Sequence, residues 1–373
     1  MLISLSILTK VQEILKKLFE YFRKMRVTIY AGSFNREYIR HFSYLEKIKK
    51  IDKISYYGTN PLYYTYSKLR NFKSYNFKQI FDSYLAPIRM FFSKDVLVIS
   101  FPPYSYKALL PLLLARLKKK IIFFHSWPYW NNKNDYIIKP NKLKIKIWNK
   151  FLSSTVSIIV NSTGVEALRN LDCKAYLIPH CIDAKLFNLK KTDNKKIKIL
   201  YVGRLIEEKG IRDLLEVSSK FDPTKIQFVF VGEGKLKNYI LSKQKELQIS
   251  YLGYVEDKEK LAEIYTQSDI FVLNSYKIPK WEEFFGIVLI EAMASGLPIV
   301  STDCVGPKDI ITNGKDGFLI KQRSKEELYN ALKKLINDKK LRMEMGRNGR
   351  EKAAKNYSVE NVAEKLFNIL NSI

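Results

Sequence analysis

Cysteine is scarce in this 373-residue chain: Cys173, Cys181 and Cys304 are the only three, and no two of them are spaced Cys-x-x-Cys. An odd number without that spacing speaks against a disulfide framework and against a structural zinc site, and it fits a reducing cytoplasm. Acidic residues are short as well, 37 Asp and Glu against 65 Lys and Arg, which leaves a formal charge of +28. An excess of that size points to an anionic partner, and three classes compete: nucleic acid, an anionic membrane surface or a phosphorylated substrate. No Gly-x4-Gly-Lys-[Ser/Thr] run is present, so a nucleoside-triphosphate P-loop is not indicated. Short-period repeats and low-complexity tracts are missing too. What is present is 46% hydrophobic and 27% charged residues, the balance of a soluble globular protein, in a chain long enough for two domains.

The opening segment, MLISLSILTKVQEILKKLFEYFRKM, has Ile7, Val11, Ile14, Leu15, Leu18, Phe19 and Phe22 at helical spacing with charges between them. Its uncharged start is far shorter than the roughly 20 apolar residues that span a bilayer. It also lacks the basic start and cleavage site of a secretory signal. Residues 1–24 are therefore expected to form an amphipathic helix, either packed on the domain or lying in the plane of a membrane.

Strands and helices then alternate. Apolar, β-branched runs at 26–34, 95–101, 121–124, 156–160 and 175–179 predict one parallel sheet covered on both faces. The polar, basic stretch 187–198 reads as a linker. Beyond it, runs at 199–203, 226–232, 249–253, 269–274, 297–302 and 317–320 predict a second sheet. The expected organisation is an N-terminal Rossmann-like domain over 25–186, a C-terminal one over 199–357, and a final helix over 358–373 crossing back to the first. Ligands of doubly wound sheets bind at the carboxyl ends of strands, which puts the weight on residues just after strands.

Two stretches stand out there. In YVGRLIEEKGI, Gly203 ends a strand and lets backbone approach a ligand closely. Arg204 and Lys209 follow and suit a diphosphate, the Arg as a planar fork and the Lys as a mobile point charge. The competing reading is a pair of solvated surface charges. In WEEFFGIVLIEAMASGLPIV, a helix is expected to begin near Phe285, Gly286 and Ile287 and end at Gly296. Its free N–H groups make a phosphate seat. Eight residues of helix rise about 12 Å, so Glu283 and Glu291 can flank an elongated polar ligand. Glu282 is expected to be a solvated neighbour. The pattern matches a nucleotide sugar, with ribose at one carboxylate, diphosphate in the middle and hexose at the other.

GRLIEEKG, VGEG, YLGYV, DIFVLNS, EFFGIVLIE with AMASGLPIV, and GPKDII…NGKDGFLI occur in this order, preceded by IPHCIDAKLF. Over about residues 155–360 this series resembles the GT-B glycosyltransferases of the large retaining family four. The resemblance implies a nucleoside-diphosphate-sugar donor, UDP- or GDP-linked, and no other cofactor. Arg204 and Lys209 would hold the departing diphosphate, Glu291 the ribose hydroxyls and Glu283 the transferred sugar. Amides around Phe285–Ile287 would complete the cradle, and Val255 would lie by the base. His125, just after a strand, falls where relatives have a histidine near the donor; the competing reading is a partly exposed surface histidine. His180 falls where relatives usually have Asn, which suits a turn-supporting role. Gly32 falls where they carry a glycine-rich loop, of which one glycine remains here. Because two cations and a helix end neutralise the leaving group, no metal is expected, and no Asp-x-Asp motif of the other major glycosyltransferase fold is present.

Lysines at 47–53, 118–120, 139–150 and 190–198 lie mostly in the half expected to bind acceptor. They favour attachment to the cytoplasmic face of a membrane and a glycan or lipid-linked acceptor, since each Lys or Arg near an anionic leaflet contributes roughly 1 kcal/mol. The aromatic segment 56–77 suits an acceptor loop, a membrane-facing surface or ordinary packing. Nucleic acid is not an expected partner, because it gives no reason for the two glutamates or the GRLIEEKG loop. An epimerase-like enzyme that binds a nucleotide sugar without transferring it is the other alternative.

Overall fold

The computed structural model describes residues 25–31, 39–58, 85, 88–117, 120–127, 135–187 and 195–373. The expected helix over 1–24, Gly32, the aromatic residues 59–77 and linker residues 188–194 lie outside the described residues.

The first half runs β1 (Arg26–Ala31), α1 (Arg40–Lys47), β2 (Lys53–Gly58), β3 (Val96–Ser100), α2 (Leu109–Arg116), β4 (Ile121–His125), α3 (Lys142–Ser153), β5 (Val156–Ile159), α4 (Ser162–Arg169) and β6 (Ala175–Leu177). Its strands pair in parallel in the order β2-β1-β3-β4-β5-β6. The second half runs β7 (Ile197–Val202), α5 (Ile211–Ser218), β8 (Ile226–Val231), α6 (Lys237–Leu247), β9 (Ser250–Tyr251), α7 (Lys258–Thr266), β10 (Ile270–Leu273), α8 (Ile287–Ala294), β11 (Ile299–Thr302), α9 (Val305–Ile310), β12 (Gly317–Ile320), α10 (Lys325–Asn337), α11 (Lys339–Tyr357) and α12 (Val359–Ser372). Its sheet, β12-β11-β10-β7-β8-β9, is parallel as well. This is the expected α/β architecture of two doubly wound sheets. In the second sheet the strand order reverses between β7 and β10, and in the first between β1 and β3, and crevices open at such points.

Local chemistry accounts for most elements. β3, β4 and β10 are buried nearly end to end, which is why they read as unbroken apolar runs. Asn161 caps α4 by accepting from the Gly164 N–H at 2.8 Å, and Asp257 caps α7 through Glu259 at 2.9 Å. Pro111 sits in the first turn of α2, where its missing N–H removes no helical bond. The strand β2 was not foreseen from the sequence. Among the described residues it is an edge strand of its sheet, paired with β1 alone, and KISYYG lacks a continuous apolar signature. The lysine-rich segment 139–150 holds most of a further unforeseen element, α3. Lys142, Lys146 and Lys150 line its exposed side, while Trp148, Phe151 and Leu152 are buried on the other.

The chain returns to the first half at its end. Ile182 bridges to Ser358: its N–H donates to the Tyr357 carbonyl and its carbonyl accepts from Val359 N–H, both at 2.9 Å. Helix α12 then packs on α1, burying Val362, Leu366 and Leu370 in one cluster with Phe42 and Leu45, and Lys50 pairs with Glu364.

Candidate active site

Carboxyl ends of strands from both sheets, together with the amino end of α8, surround one cleft of about 950 Å³. The site is built from three backbone devices. First, the loop after β7 carries Gly203 and Arg204 and then a single 3-10 turn, Glu207–Lys209. The Tyr201 hydroxyl donates to the Arg204 carbonyl at 2.8 Å, and Leu205 N–H donates to Glu233 O at 2.8 Å, so the turn is fixed to the neighbouring strand. Second, Gly210 ends that turn at φ 69°, pressed against the chain after β10; a Cβ there would lie 2.1 Å from the Asn274 carbonyl oxygen. Tyr276 N–H donates to Glu208 O at 2.9 Å, which brings Ser275 beside Lys209. Third, Gly286 opens α8 at φ 88°, a left-handed conformation that only glycine adopts without strain. No side chain caps α8, and Ile287 and Val288 in its first turn, where backbone N–H groups have no partner within the helix, line the cleft.

These devices bring most of the foreseen residues together. Gly203, Arg204, Lys209, Val255, Glu283, Phe285, Gly286, Ile287, Glu291 and His125 all line the cleft. Lys209 is buried and forms an ion pair with Glu283 Oε2, with its ammonium 5.3 Å from the centre of the Trp281 ring. Ser275 Oγ donates to the same carboxylate oxygen at 3.2 Å. Glu291, buried on α8, accepts from the Tyr265 hydroxyl at 3.0 Å. Desolvation, reinforced by Glu291, holds Tyr265 well above its usual pKa, which keeps it a neutral donor. The two carboxylates thus belong to separate networks, one tied to a cation and one to a phenol. Arg204 is exposed at the mouth.

Three expectations are corrected. The helical rise of about 12 Å does not apply between Glu283 and Glu291: the helix begins at Ile287, within the expected start, and Gly286 breaks the helical backbone ahead of it. Glu282 is not a solvated neighbour. It is 6% exposed and its Oε1 accepts from the Val305 N–H at 3.0 Å, at the start of α9. This bond, with Gly306 N–H donating to Glu283 O at 2.8 Å, fixes the segment before α8. His125 is not partly exposed: it stacks on Phe123 at 4.2 Å, and desolvation lowers its pKa to about 3, so it meets the cleft as a neutral imidazole.

Sequence reasoning missed several lining or supporting groups. Ser275 follows the strand β10 directly, the same signal that located Arg204. Tyr265 sits at an apolar position of α7 and reads as core. The first half contributes Ile29, Ile39, Val98 and Phe124, which give no polar signal at all, together with Trp127 and with His180, for which only a turn-supporting role was expected. Trp127 and Phe284 meet across the halves at 5.4 Å, and His180 stands edge-on to Phe285 at 5.0 Å. Asp135 pairs with Lys277 at 2.8 Å, and Asp309 accepts from the backbone and hydroxyl of Ser162. Among the described residues, no three His, Cys, Asp or Glu are grouped to hold a metal ion.

Residues 183–352 match the family model described as glycosyl transferases group 1. Among curated proteins, the chain is 30% identical over 188 residues to spore coat protein SA of Bacillus subtilis, covering 47% of this chain and 48% of that protein. It is 28% identical over 251 residues to the N,N'-diacetylbacillosaminyl-diphospho-undecaprenol alpha-1,3-N-acetylgalactosaminyltransferase of Campylobacter jejuni, covering 62% of each. The chain thus spans about half to three fifths of the length of the curated relatives it matches. Among solved structures, it superposes on Anabaena HepE in complex with UDP with a TM-score of 0.66 at 14% identity, over 94% of this chain and 100% of that one. That likeness establishes the GT-B fold.

Proposed function

We propose that this chain, which matches the group 1 glycosyl transferases through residues 183–352, moves a sugar from a nucleoside diphosphate to a glycan or lipid-linked acceptor with retention of anomeric configuration. The observation that carries this reading is the convergence of Arg204, Lys209, the amino end of α8, the half-buried Glu283 and the buried Glu291 on one cleft between two parallel sheets. A sugar leaving a diphosphate gives the oxygens of that group negative charge in the transition state. Fixed cations and helix N–H groups already aimed there act where the charge develops. Arg204 at the mouth and Lys209 within take the diphosphate together with the N–H groups of Ile287 and Val288. Glu291, oriented by Tyr265, takes the ribose hydroxyls, and Glu283 takes the transferred sugar. Val255 lies beside the base. With Glu283 already on Lys209, donor binding trades part of an ion pair for phosphate contacts. His125, neutral in this site, is able to donate or accept a hydrogen bond near the sugar but carries no charge to the phosphate. The chemistry needs no metal in this reading, because the cations and the helix end carry the neutralisation.

Two finer points rest on the relatives. A UDP-linked donor is favoured over a GDP-linked one by the UDP bound in the HepE structure. An acceptor carried on a lipid diphosphate, and hence work at the cytoplasmic face of a membrane, is favoured by the Campylobacter enzyme's name. The test is thermal shift with UDP, GDP and their sugar conjugates, followed by incubation with the stabilising donor and candidate acceptors. Concentration-dependent stabilisation by one nucleotide and a new glycosidic product are expected. Stabilisation without product in any acceptor, accompanied by isomerised donor, would establish the epimerase-like alternative instead.

A further inference from the structure

The strong positive charge of the chain is not located in the cleft. Among the described residues that line it, Arg204, Lys209 and Lys258 face Glu233, Glu282, Glu283 and Glu291, three cations against four carboxylates. The excess therefore serves another surface, and residues 96–153 hold a large share of it: ten lysines and one arginine, with Asp135 the only acid. That acid is buried against Lys277.

Helices α2 and α3 lie side by side on the same face of the first sheet. Leu114 of one, with Ala108 just ahead of it, and Trp148, Phe151 and Leu152 of the other are buried in one cluster over Leu97, Ile99 and Phe123. Their outward sides differ in kind. Leu109, Leu113 and Leu117 repeat at helical spacing along α2, each about half exposed, with Tyr106 ahead of them. Lys142, Lys146 and Lys150 form a matching exposed row on α3. The Lys144 ammonium over the Tyr106 ring, at 5.4 Å, joins the two rows. An apolar ridge beside a lysine row, without a carboxylate in either helix, fits a surface that is apolar inside and anionic at its rim.

We propose that the α2–α3 face docks on a bilayer of anionic lipids, the leucines entering the headgroup boundary and the lysines meeting phosphates. Its position supplies a further argument. Tyr106 and the start of α3 follow the carboxyl ends of β3 and β4, the strands whose Ser100 and His125 line the cleft. Asp135, ahead of α3, bridges to the second half through Lys277. A docked protein thus holds its cleft mouth near the membrane, within reach of a lipid-carried acceptor. That last clause rests on the function proposed above; the docking itself does not. Among the described residues no helix is long and apolar enough to cross a membrane.

The experiment is flotation of the full chain with vesicles of phosphatidylcholine alone or containing phosphatidylglycerol. Wild-type protein is expected to float with the phosphatidylglycerol vesicles, and far less with neutral ones. Combining Lys142→Gln, Lys146→Gln and Lys150→Gln should weaken partitioning by about 100-fold, roughly fivefold for each lysine. Leu109→Ser with Leu113→Ser should remove the part of the binding that survives high salt. Both variants should keep the wild-type thermal shift with UDP, so failure of nucleotide binding in wild type would count against the catalytic reading and leave the docking result intact. Equal flotation of wild type and both variants would overturn the proposal, and loss on deleting residues 1–24 alone would assign attachment to that segment. A change of oligomeric state in the leucine variant, with flotation unchanged, would make the face an interface between copies and equally overturn it.

Discussion

Replacing Lys209 by methionine tests the centre of the site, because its energetic and its chemical consequences separate. Lys209 and Glu283 have side chains only 10% and 12% exposed, and the ammonium is the counter-ion of that carboxylate. Removing one partner of a fully buried pair costs about 3–5 kcal/mol, most of it from the charge left unpaired. Here the carboxylate lines an open cleft and keeps the Ser275 hydroxyl. The expected loss is therefore smaller, about 2–3 kcal/mol. Adding Glu283→Gln removes the orphaned charge while keeping its shape. The double variant should regain about 1–2 kcal/mol relative to the sum of the singles, the range for residues in direct contact.

Urea denaturation of the wild type, both single variants and the double variant at neutral pH measures that coupling. Sugar transfer, followed in the same four proteins, should fall by roughly 10²–10³ in the two variants that lack Lys209, because restoring stability does not restore a cation at the departing oxygens. Additive stabilities would show that the ion pair is not what holds the two side chains. Near-wild-type turnover in Lys209→Met would remove this lysine from the diphosphate.

Arg204→Ala should lose transfer on the same scale of about 10²–10³, yet shift the urea midpoint little, since an exposed side chain costs within about 0.5 kcal/mol. Tyr265→Phe removes a hydrogen bond to a carboxylate worth about 1.5–3 kcal/mol; equilibrium dialysis should show UDP binding weakened about tenfold, and unchanged affinity would end the assignment of Tyr265 as the group that orients Glu291. Gly210→Ala places a methyl against the Asn274 carbonyl oxygen at φ 69°, so circular dichroism and UDP thermal shift should report a destabilised protein with a displaced Lys209 loop. Acid should weaken the fold through two histidines. Burial lowers His125 to about 3, and burial with His180 nearby lowers His41 to about 3. Both lie below the usual value of about 6.5, so the unfolded chain takes up protons that the native protein refuses. Stability is then complete above about pH 6.5 and declines as pH falls toward 3, by up to about 1.4 kcal/mol per pH unit for each histidine. Urea midpoints that stay flat between pH 6.5 and 5 would contradict the burial of these rings.

The fold was legible wherever a strand is covered on both faces. β3, β4, β7, β8 and β10 are apolar runs because helices lie above and below them, and each was located within two residues. The lysine-rich elements were not, and the reason is physical. Among the described residues β2 is paired on one side only, so its residues answer to solvent as much as to the core. In α3 the lysines hide a helical pattern whose buried members are Trp148, Phe151 and Leu152. A surface helix with a lysine on nearly every turn reads as charge before it reads as structure.

The site divides along a similar line. Groups that meet phosphates and hydroxyls must be charged or polar and must sit at strand ends or helix starts. Arg204, Lys209, Glu283 and Glu291 stood out on those grounds, with solvated surface charge as the competing reading for the first two until the family resemblance was added, and all four line the cleft. The opposite wall is Ile29, Ile39, Val98 and Phe124, residues whose chemistry is that of the interior. Nothing in such side chains distinguishes a cleft wall from a core, and only the crossing of two sheets exposes them to a ligand. Glu282 shows the converse limit: next to Glu283 in sequence and equal to it in charge, it turns into the protein to hold α9. Composition and spacing state what a residue can do; the direction in which the backbone aims it decides which of two adjacent carboxylates meets the Lys209 ammonium.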